Sequence, residues 1–227
     1  MIITIDGPAG SGKSTAARRL AKRLNFFHLD TGAMYRAVAF VCLKNEVASE
    51  DQFAVAIASK SASIRFDGKR TFVYGEDVTQ DIRTPEVTTL ASRVAAYPQV
   101  RELLVGLQQK TVLNRNVVTE GRDQGTIVFP EADCKFFMTA SREARARRRR
   151  MELRESGTEI ALDETLRLID ERDQRDANRA VGPLRAADDA TCIDTSEITI
   201  DAVLEEMERI LSGRCPQLRS LSDPQKP

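Results

Sequence analysis

The run Gly7-Pro8-Ala9-Gly10-Ser11-Gly12-Lys13-Ser14 follows the short apolar stretch Ile2 to Ile5 and opens a helical pattern that reaches Leu24. It fits G-x-x-x-x-G-K-[ST] at every position, in the strand, loop and helix order that the pattern requires. The glycines let the backbone curl so that successive N–H groups face a polyphosphate, and the helix N-terminus adds its positive end. Lys13 supplies a point charge to the β- and γ-phosphates, and the Ser14 hydroxyl can ligate Mg²⁺. A glycine-rich turn without a ligand is the alternative, and the flanking strand and helix weigh against it. The segment Gly7 to Thr15 is therefore expected to bind a nucleoside triphosphate.

Outward from that loop, short apolar segments alternate with helical patterns, which predicts an α/β fold. Candidate strands are Ile2 to Ile5, Phe26 to Leu29, Val117 to Thr119, Lys135 to Met138 and Thr191 to Ile193, each short and apolar as in a parallel sheet covered on both faces. Helices are predicted over Lys13 to Leu24, Ala33 to Lys44, Pro98 to Leu113, Ser141 to Glu155, Asp163 to Ala180 and Ile200 to Leu211. One stretch breaks the rhythm. Ser63 to Phe66, Asp67-Gly68 and Thr71 to Tyr74 read as a hairpin, followed by a Thr84-Pro85-Glu86 cap opening a helix through Ala96. We read residues 61–96 as a small insert; the alternative is a hairpin that extends the edge of the main sheet. Residues 213–227 hold three prolines and no apolar period, and are expected to form a flexible tail.

The 227 residues carry 34 Lys+Arg against 34 Asp+Glu, a balance that gives no argument from composition for a nucleic-acid binder or a polybasic membrane protein. The longest apolar stretch, Ala33 to Leu43, is interrupted by Arg36 and is too short to span a bilayer. Without a basic n-region or small-residue cleavage site near Met1, a cytoplasmic location is expected. Cys42, Cys134, Cys192 and Cys215 are widely spaced and His28 is the single histidine, so buried thiols are expected rather than disulfides or a zinc site.

Binding a triphosphate leaves open what is done with it: phosphoryl transfer, or nucleotide-dependent switching by a binding module. The chain lacks the N-K-x-D pattern of a guanine-reading switch. A kinase needs arginines beyond the loop to hold a second anionic substrate. Arg36 and Arg122 each follow the end of a candidate strand, the edge at which α/β sheets bind ligands, and two planar guanidinium groups could clamp a monophosphate. Arg172, Arg175, Asp176 and Arg179 fall at i, i+3, i+4 and i+7, on one helix face. An exposed lattice in which Asp176 pairs with Arg172 is the alternative to a phosphate-facing stripe. Seven arginines between Arg142 and Arg154 surround only Glu143 and Glu152; most must be solvated, with one or two at most reaching phosphate. Without interleaved aromatic residues they make a poor nucleic-acid patch.

Together these segments resemble the bacterial cytidylate kinases, the (d)CMP kinases among nucleoside monophosphate (NMP) kinases. The resemblance is carried by the loop with its preceding strand, by Leu29-Asp30-Thr31-Gly32-Ala33-Met34-Tyr35-Arg36, by Ala91-Ser92-Arg93-Val94-Ala95-Ala96 and Val100-Arg101, and by Glu120-Gly121-Arg122-Asp123-Gln124-Gly125-Thr126. Glu171-Arg172-Asp173-Gln174-Arg175-Asp176-Ala177-Asn178-Arg179 carries it too; this segment and Gly121 to Thr126 are far more specific than the loop, and the resemblance covers roughly residues 1–212. It implies a three-layer α/β/α P-loop kinase with a five-stranded parallel sheet (residues 1–60 and 97–212), an NMP-binding insert at 61–96 and a short lid near 148–162. The activity implied is transfer of the γ-phosphoryl group of ATP to CMP or dCMP in pyrimidine metabolism, with Mg²⁺ on Ser14 and with Asp30 and Glu120 acting through water. Lys13, Arg36, Arg122 and Arg172 would serve the transferred and accepting phosphates. Arg172 and Asp176 would hold the ribose with Tyr35 nearby, and Ser92, Arg101, Asp123 and Arg179 would face cytosine. Cytosine shows an amino donor beside acceptors at N3 and O2, so a carboxylate and a cation together suit it. Glu120 and Thr31 stand where many members have Asp and Ser. A monomer without nucleic-acid or membrane partners is expected, and UMP, a shikimate-like acceptor or a regulatory module are the rival readings.

Overall fold

A computed structural model describes residues 1–67, 70–155, 157–216 and 218. In chain order the elements are β1 (Ile2–Asp6), α1 (Lys13–Leu24), β2 (Phe27–Asp30), α2 (Thr31–Lys44), α3 (Gln52–Ser61), β3 (Ile64–Phe66), β4 (Thr71–Val73) and β5 (Glu76–Asp77). There follow α4 (Pro85–Val94), α5 (Pro98–Thr111), β6 (Val117–Gly121), β7 (Cys134–Thr139), α6 (Arg142–Glu155), α7 (Leu162–Ala177), β8 (Thr191–Asp194) and α8 (Ile200–Arg214).

Five strands form one parallel sheet in the order β2-β6-β1-β7-β8. Because successive side chains point to opposite faces, neighbouring residues feed different cores: Val117 joins the cluster with Leu29, Met34, Val38 and Leu104, while Val118 joins Ile3, Ile5, Leu20 and Leu204. Helices α2, α4 and α5 cover the first face, and α1 and α8 the second. This is the three-layer arrangement expected from the alternation, and it brings the C-terminal ends of β1, β2 and β6 to one edge.

Local chemistry sets the helix boundaries at that edge. Asp30 ends β2 and accepts the Ala33 N–H at 2.8 Å, so α2 starts two residues before its apolar pattern. Thr84 caps α4 through the Val87 N–H at 3.3 Å, and Pro85 and Pro98 each take a first-turn position.

Strands β3, β4 and β5 form a separate antiparallel sheet rather than an extension of the main one. The proposed turn at Asp67-Gly68 lies partly outside the described residues; Asp67 accepts the Arg70 N–H at 2.8 Å. Helix α3 carries no periodic signal in the sequence, because Phe53 and Ile57 face solvent while Val55, Ala56 and Ser59 are buried. Two further expectations need correction. Helix α8 runs past Leu211 to Arg214, and Cys215 and Leu218 are buried against Leu211 and Met207, so the segment expected to be a tail begins with packed chain. Cys42, Cys134 and Cys215 are buried as expected, whereas Cys192 is exposed.

Candidate functional site

The phosphate-binding loop joins β1 to α1. Gly7 has φ 154°, and a Cβ there would lie 2.2 Å from the Met138 carbonyl oxygen, so only glycine lets the chain turn against β7. The loop folds back on its own lysine: Lys13 Nζ donates to the Pro8 carbonyl at 3.1 Å. The next residue points across the sheet edge, where Ser14 Oγ donates to Glu120 Oε1 at 2.9 Å and Thr31 Oγ1 donates to the Glu120 carbonyl at 2.7 Å.

From Lys13 and Ser14 a cleft of about 620 Å³ runs to Ser92, Arg101 and Asp123. The structure brings Tyr35, Arg36, Arg122, Arg172 and Arg179 into the same cleft, together with Ala9, Gly10 and Thr15 of the loop. Ser11 and Gly12 line a second cavity of about 330 Å³ behind the loop, while Gly7 and Pro8 line neither.

The cations are partly engaged and partly idle. Arg36 pairs with Asp30 at 3.2 Å, and Arg83, beside the small sheet, approaches the same carboxylate at 3.5 Å. Burial works to raise the Asp30 carboxyl, and Arg36, the Ala33 N–H and Arg83 overcome it, holding it below its ordinary value. Arg122 Nε donates to Asp176 Oδ2 at 2.6 Å, and Arg179 pairs with the other oxygen of Asp176. Among the described residues Arg172 Nε has no partner, and burial, then the Arg122 charge, bring that guanidinium down to about 10. Burial and then Arg122 likewise lower the Lys13 ammonium to about 7, with Glu120 working against them. Lys13 is buried and Arg122 and Arg172 are half-buried beside it, like charges crowded together, an arrangement that an entering polyanion relieves.

At the far end Arg101 and Asp123 pair directly, both nearly inaccessible, and Arg101 Nη1 reaches the Tyr35 hydroxyl at 3.2 Å. Burial raises the Asp123 carboxyl above its ordinary value, with Arg101 and Arg179 pulling against it. Ser92 is buried beside them, and its hydroxyl has no partner among the described residues.

Some expectations fail on the helix stripe. Arg175 is exposed and lines neither cavity, and α7 ends at Ala177, so Arg179 reaches the cleft from beyond the helix. Asp176 is fully buried behind the cleft wall and pairs with Arg122 and Arg179 rather than with Arg172. Of the basic run in α6, Arg149 lines the cleft, Arg145 and Arg148 bond the loop carbonyls of Ala9 (3.2 Å) and Gly10 (3.4 Å), and Arg142 pairs outward with Asp170.

Sequence reasoning missed Arg83 and Gly182. Arg83 could have been found only by knowing that the helical turn Asp81–Arg83 packs against α2. Gly182 has φ 64°, and a Cβ there would fall 2.2 Å from Arg101 Nη2 and 2.4 Å from Asp123 Oδ2. Nothing in the local sequence announces that contact. The lining of the second cavity, including Arg148, Thr195, Ile198 and Val203, was also not foreseen.

A family model described as "Cytidylate kinase" matches residues 3–212. The chain is 46% identical over 205 residues to a cytidylate kinase of Caldanaerobacter subterraneus subsp. tengcongensis, covering 90% of this chain and 92% of that protein. It is 44% identical over 230 residues to a cytidylate kinase of Syntrophotalea carbinolica, covering 100% of this chain and 96% of the other. Among solved structures, an uncharacterized protein from Eubacterium ventriosum shares the fold with a TM-score of 0.54 at 14% identity, over 94% of this chain and 99% of the other. Motifs, sheet order and relatives agree, and the chain belongs to the cytidylate kinase family.

Proposed function

We propose that the protein transfers the γ-phosphoryl group of ATP to CMP or dCMP, giving ADP and the corresponding diphosphate. The observation that carries this reading is the single cleft in which Lys13 and three arginines (Arg36, Arg122, Arg172) converge, with a buried carboxylate, guanidinium and hydroxyl (Asp123, Arg101, Ser92) at its far end.

The triphosphate lies along the loop, its terminal phosphate at Lys13, and its nucleoside extends toward the cavity behind the loop. The acceptor phosphate displaces Asp30 from Arg36, while Arg83 keeps that carboxylate neutralised, and Arg122 takes the other side. An acceptor phosphate oxygen is already anionic near neutral pH, so no general base is required. It attacks the γ-phosphorus in line, the bond from that phosphorus to the β-bridging oxygen breaks, and ADP leaves with the pair of electrons. Lys13, Arg122 and Arg172 oppose charge on the equatorial oxygens, where stabilisation counts most. Arg172 meets the ribose hydroxyls; Asp176 can join only by giving up one of its arginine bonds.

Hard oxygen donors at the loop fit a magnesium ion: the Ser14 hydroxyl stands beside the Glu120 carboxylate, with Asp30 at the neighbouring strand end. Among the described residues no three acidic, His or Cys side chains gather as a metal cage, which suits a cation that keeps waters and phosphate oxygens as ligands. Held by Ser14 and, through water, by Glu120 and Asp30, such an ion would supply positive charge to offset that of the phosphates. Residues 61–96 act as the acceptor-binding insert, and the segment near 148–162, which includes the cleft residues Arg149, Glu152 and Leu153, acts as the lid that excludes water. The test is kcat/KM with ATP and Mg²⁺ over CMP, dCMP, UMP, AMP and shikimate. CMP and dCMP should lead by at least tenfold; a preference for any other acceptor would replace this reading.

A further inference from the structure

Asp6 ends β1, one residue before the phosphate-binding loop, and is only 4% exposed. One of its carboxylate oxygens accepts the Gln124 N–H at 2.9 Å and the other accepts the Gly125 N–H at 2.8 Å. Those amides open the wide, π-helical turn Gln124–Val128, directly after Arg122 and Asp123. Asp6 itself does not line the cleft.

The bracketed segment is held on its other sides as well. A Cβ on Gly121 would lie 2.8 Å from the Gln124 side chain, and one on Gly125 would lie 3.0 Å from Thr4 Oγ1. Thr119 Oγ1 donates to Gln124 Oε1 at 2.9 Å, and Gln124 Nε2 donates to the fully buried Gln108 at 3.1 Å. Burial raises the Asp6 carboxyl to about 7, with the Gly125 and Gln124 amides pulling the other way. The Asp6 side chain thus stands at a desolvated strand end, its hydrogen bonds going to two amides of the segment that carries Arg122 and Asp123.

We propose that Asp6 is a positioning residue for the acceptor nucleotide: by bracketing the Gln124 and Gly125 amides it fixes the backbone from which Arg122 and Asp123 enter the cleft. The proposal rests on the reading that Arg122 meets the acceptor phosphate and Asp123 its base. An Asn at this place keeps one acceptor oxygen and turns an amino group toward the second N–H, which pushes the segment away. Displacements of about 1 Å at binding groups are enough for large kinetic losses.

The experiment is Asp6→Asn, with KM and kcat measured separately for CMP and ATP and the CMP-to-UMP ratio of kcat/KM recorded. KM for CMP should rise about tenfold or more, KM for ATP should stay within about twofold, and the ratio should narrow. If only kcat falls, with both KM values and the ratio unchanged, Asp6 merely supports the fold and the proposal is overturned. Should Asp6→Asn not fold, Asp6→Ser, which offers one oxygen without an opposing amino group, is read by the same criteria. Arg122→Ala and Asp123→Ala run alongside separate the two ideas. If neither changes CMP kinetics, the acceptor reading fails and takes the Asp6 role with it; if both lose CMP while Asp6→Asn keeps it, the Asp6 role alone is overturned.

Discussion

Arg101 and Asp123 lie 22 positions apart in the chain and pair head to head at the floor of the cleft, with side chains 1% and 5% exposed. A buried ion pair at a binding surface presents a donor and an acceptor together, which is the pattern that the edge of cytosine complements.

From this pairing, Asp123→Asn should lose CMP activity while UMP activity is retained or rises. Cytosine offers amino N–H groups where uracil offers a carbonyl oxygen, so an acceptor-only carboxylate discriminates by a few kcal/mol, on the order of a hundredfold. The ratio of kcat/KM for CMP and UMP in wild type and mutant measures it. An unchanged ratio would mean that Asp123 serves only to anchor Arg101.

Gly182→Ala should lower kcat/KM for CMP by about tenfold or more with little change in KM for ATP. The added methyl group would overlap both members of the Arg101–Asp123 pair, and the positive φ adds strain of roughly 1 kcal/mol. Steady-state kinetics with each substrate varied would show it, and equal losses for both substrates would point to a general folding defect.

Asp176 ties acid stability to the site. Burial alone would raise its carboxyl, but the charges of Arg122 and Arg179 bring it from the ordinary 3.8 to about 2. A folded value below the unfolded one stabilises above about pH 4, and the contribution is lost as pH falls toward 2. Asp176→Asn should therefore cost on the order of 2 kcal/mol near neutral pH, a cost that shrinks in acid. Urea unfolding of both proteins at pH 7 and pH 3 checks this; a difference independent of pH would deny the charge pairing.

Removing residues 214–227 should destabilise the protein, whereas a chain ending at Leu218 serves as its reference. The longer truncation strips the buried Cys215 and Leu218 from the core beside α8. Loss of two buried side chains is worth about 2 kcal/mol or more, several degrees in Tm for a domain of this size. Identical melting curves for the two truncated chains would mean that this packing contributes nothing.

How far these features could be read beforehand depends on where their signals lie. The loop and the five core strands are legible because a local rule governs each: a glycine pattern for the first, continuous apolar runs for the others. Arg36 and Arg122 are legible because strand ends mark the binding edge of the sheet. Helix α3 is not, since Phe53 and Ile57 point outward and erase the period. Gly182 and Arg83 are defined by contacts across the fold, with Asp123 and Asp30, that no local pattern encodes. The packing of Leu218 was hidden for a similar reason, because prolines nearby suggested a free chain.

Coupled transfer from ATP to CMP can be followed in the ³¹P resonances of wild-type protein with ATP, Mg²⁺ and CMP in equal amounts. ADP and CDP should appear together in equal quantities, with inorganic phosphate at background. Release of inorganic phosphate from ATP with CMP left unphosphorylated would contradict it.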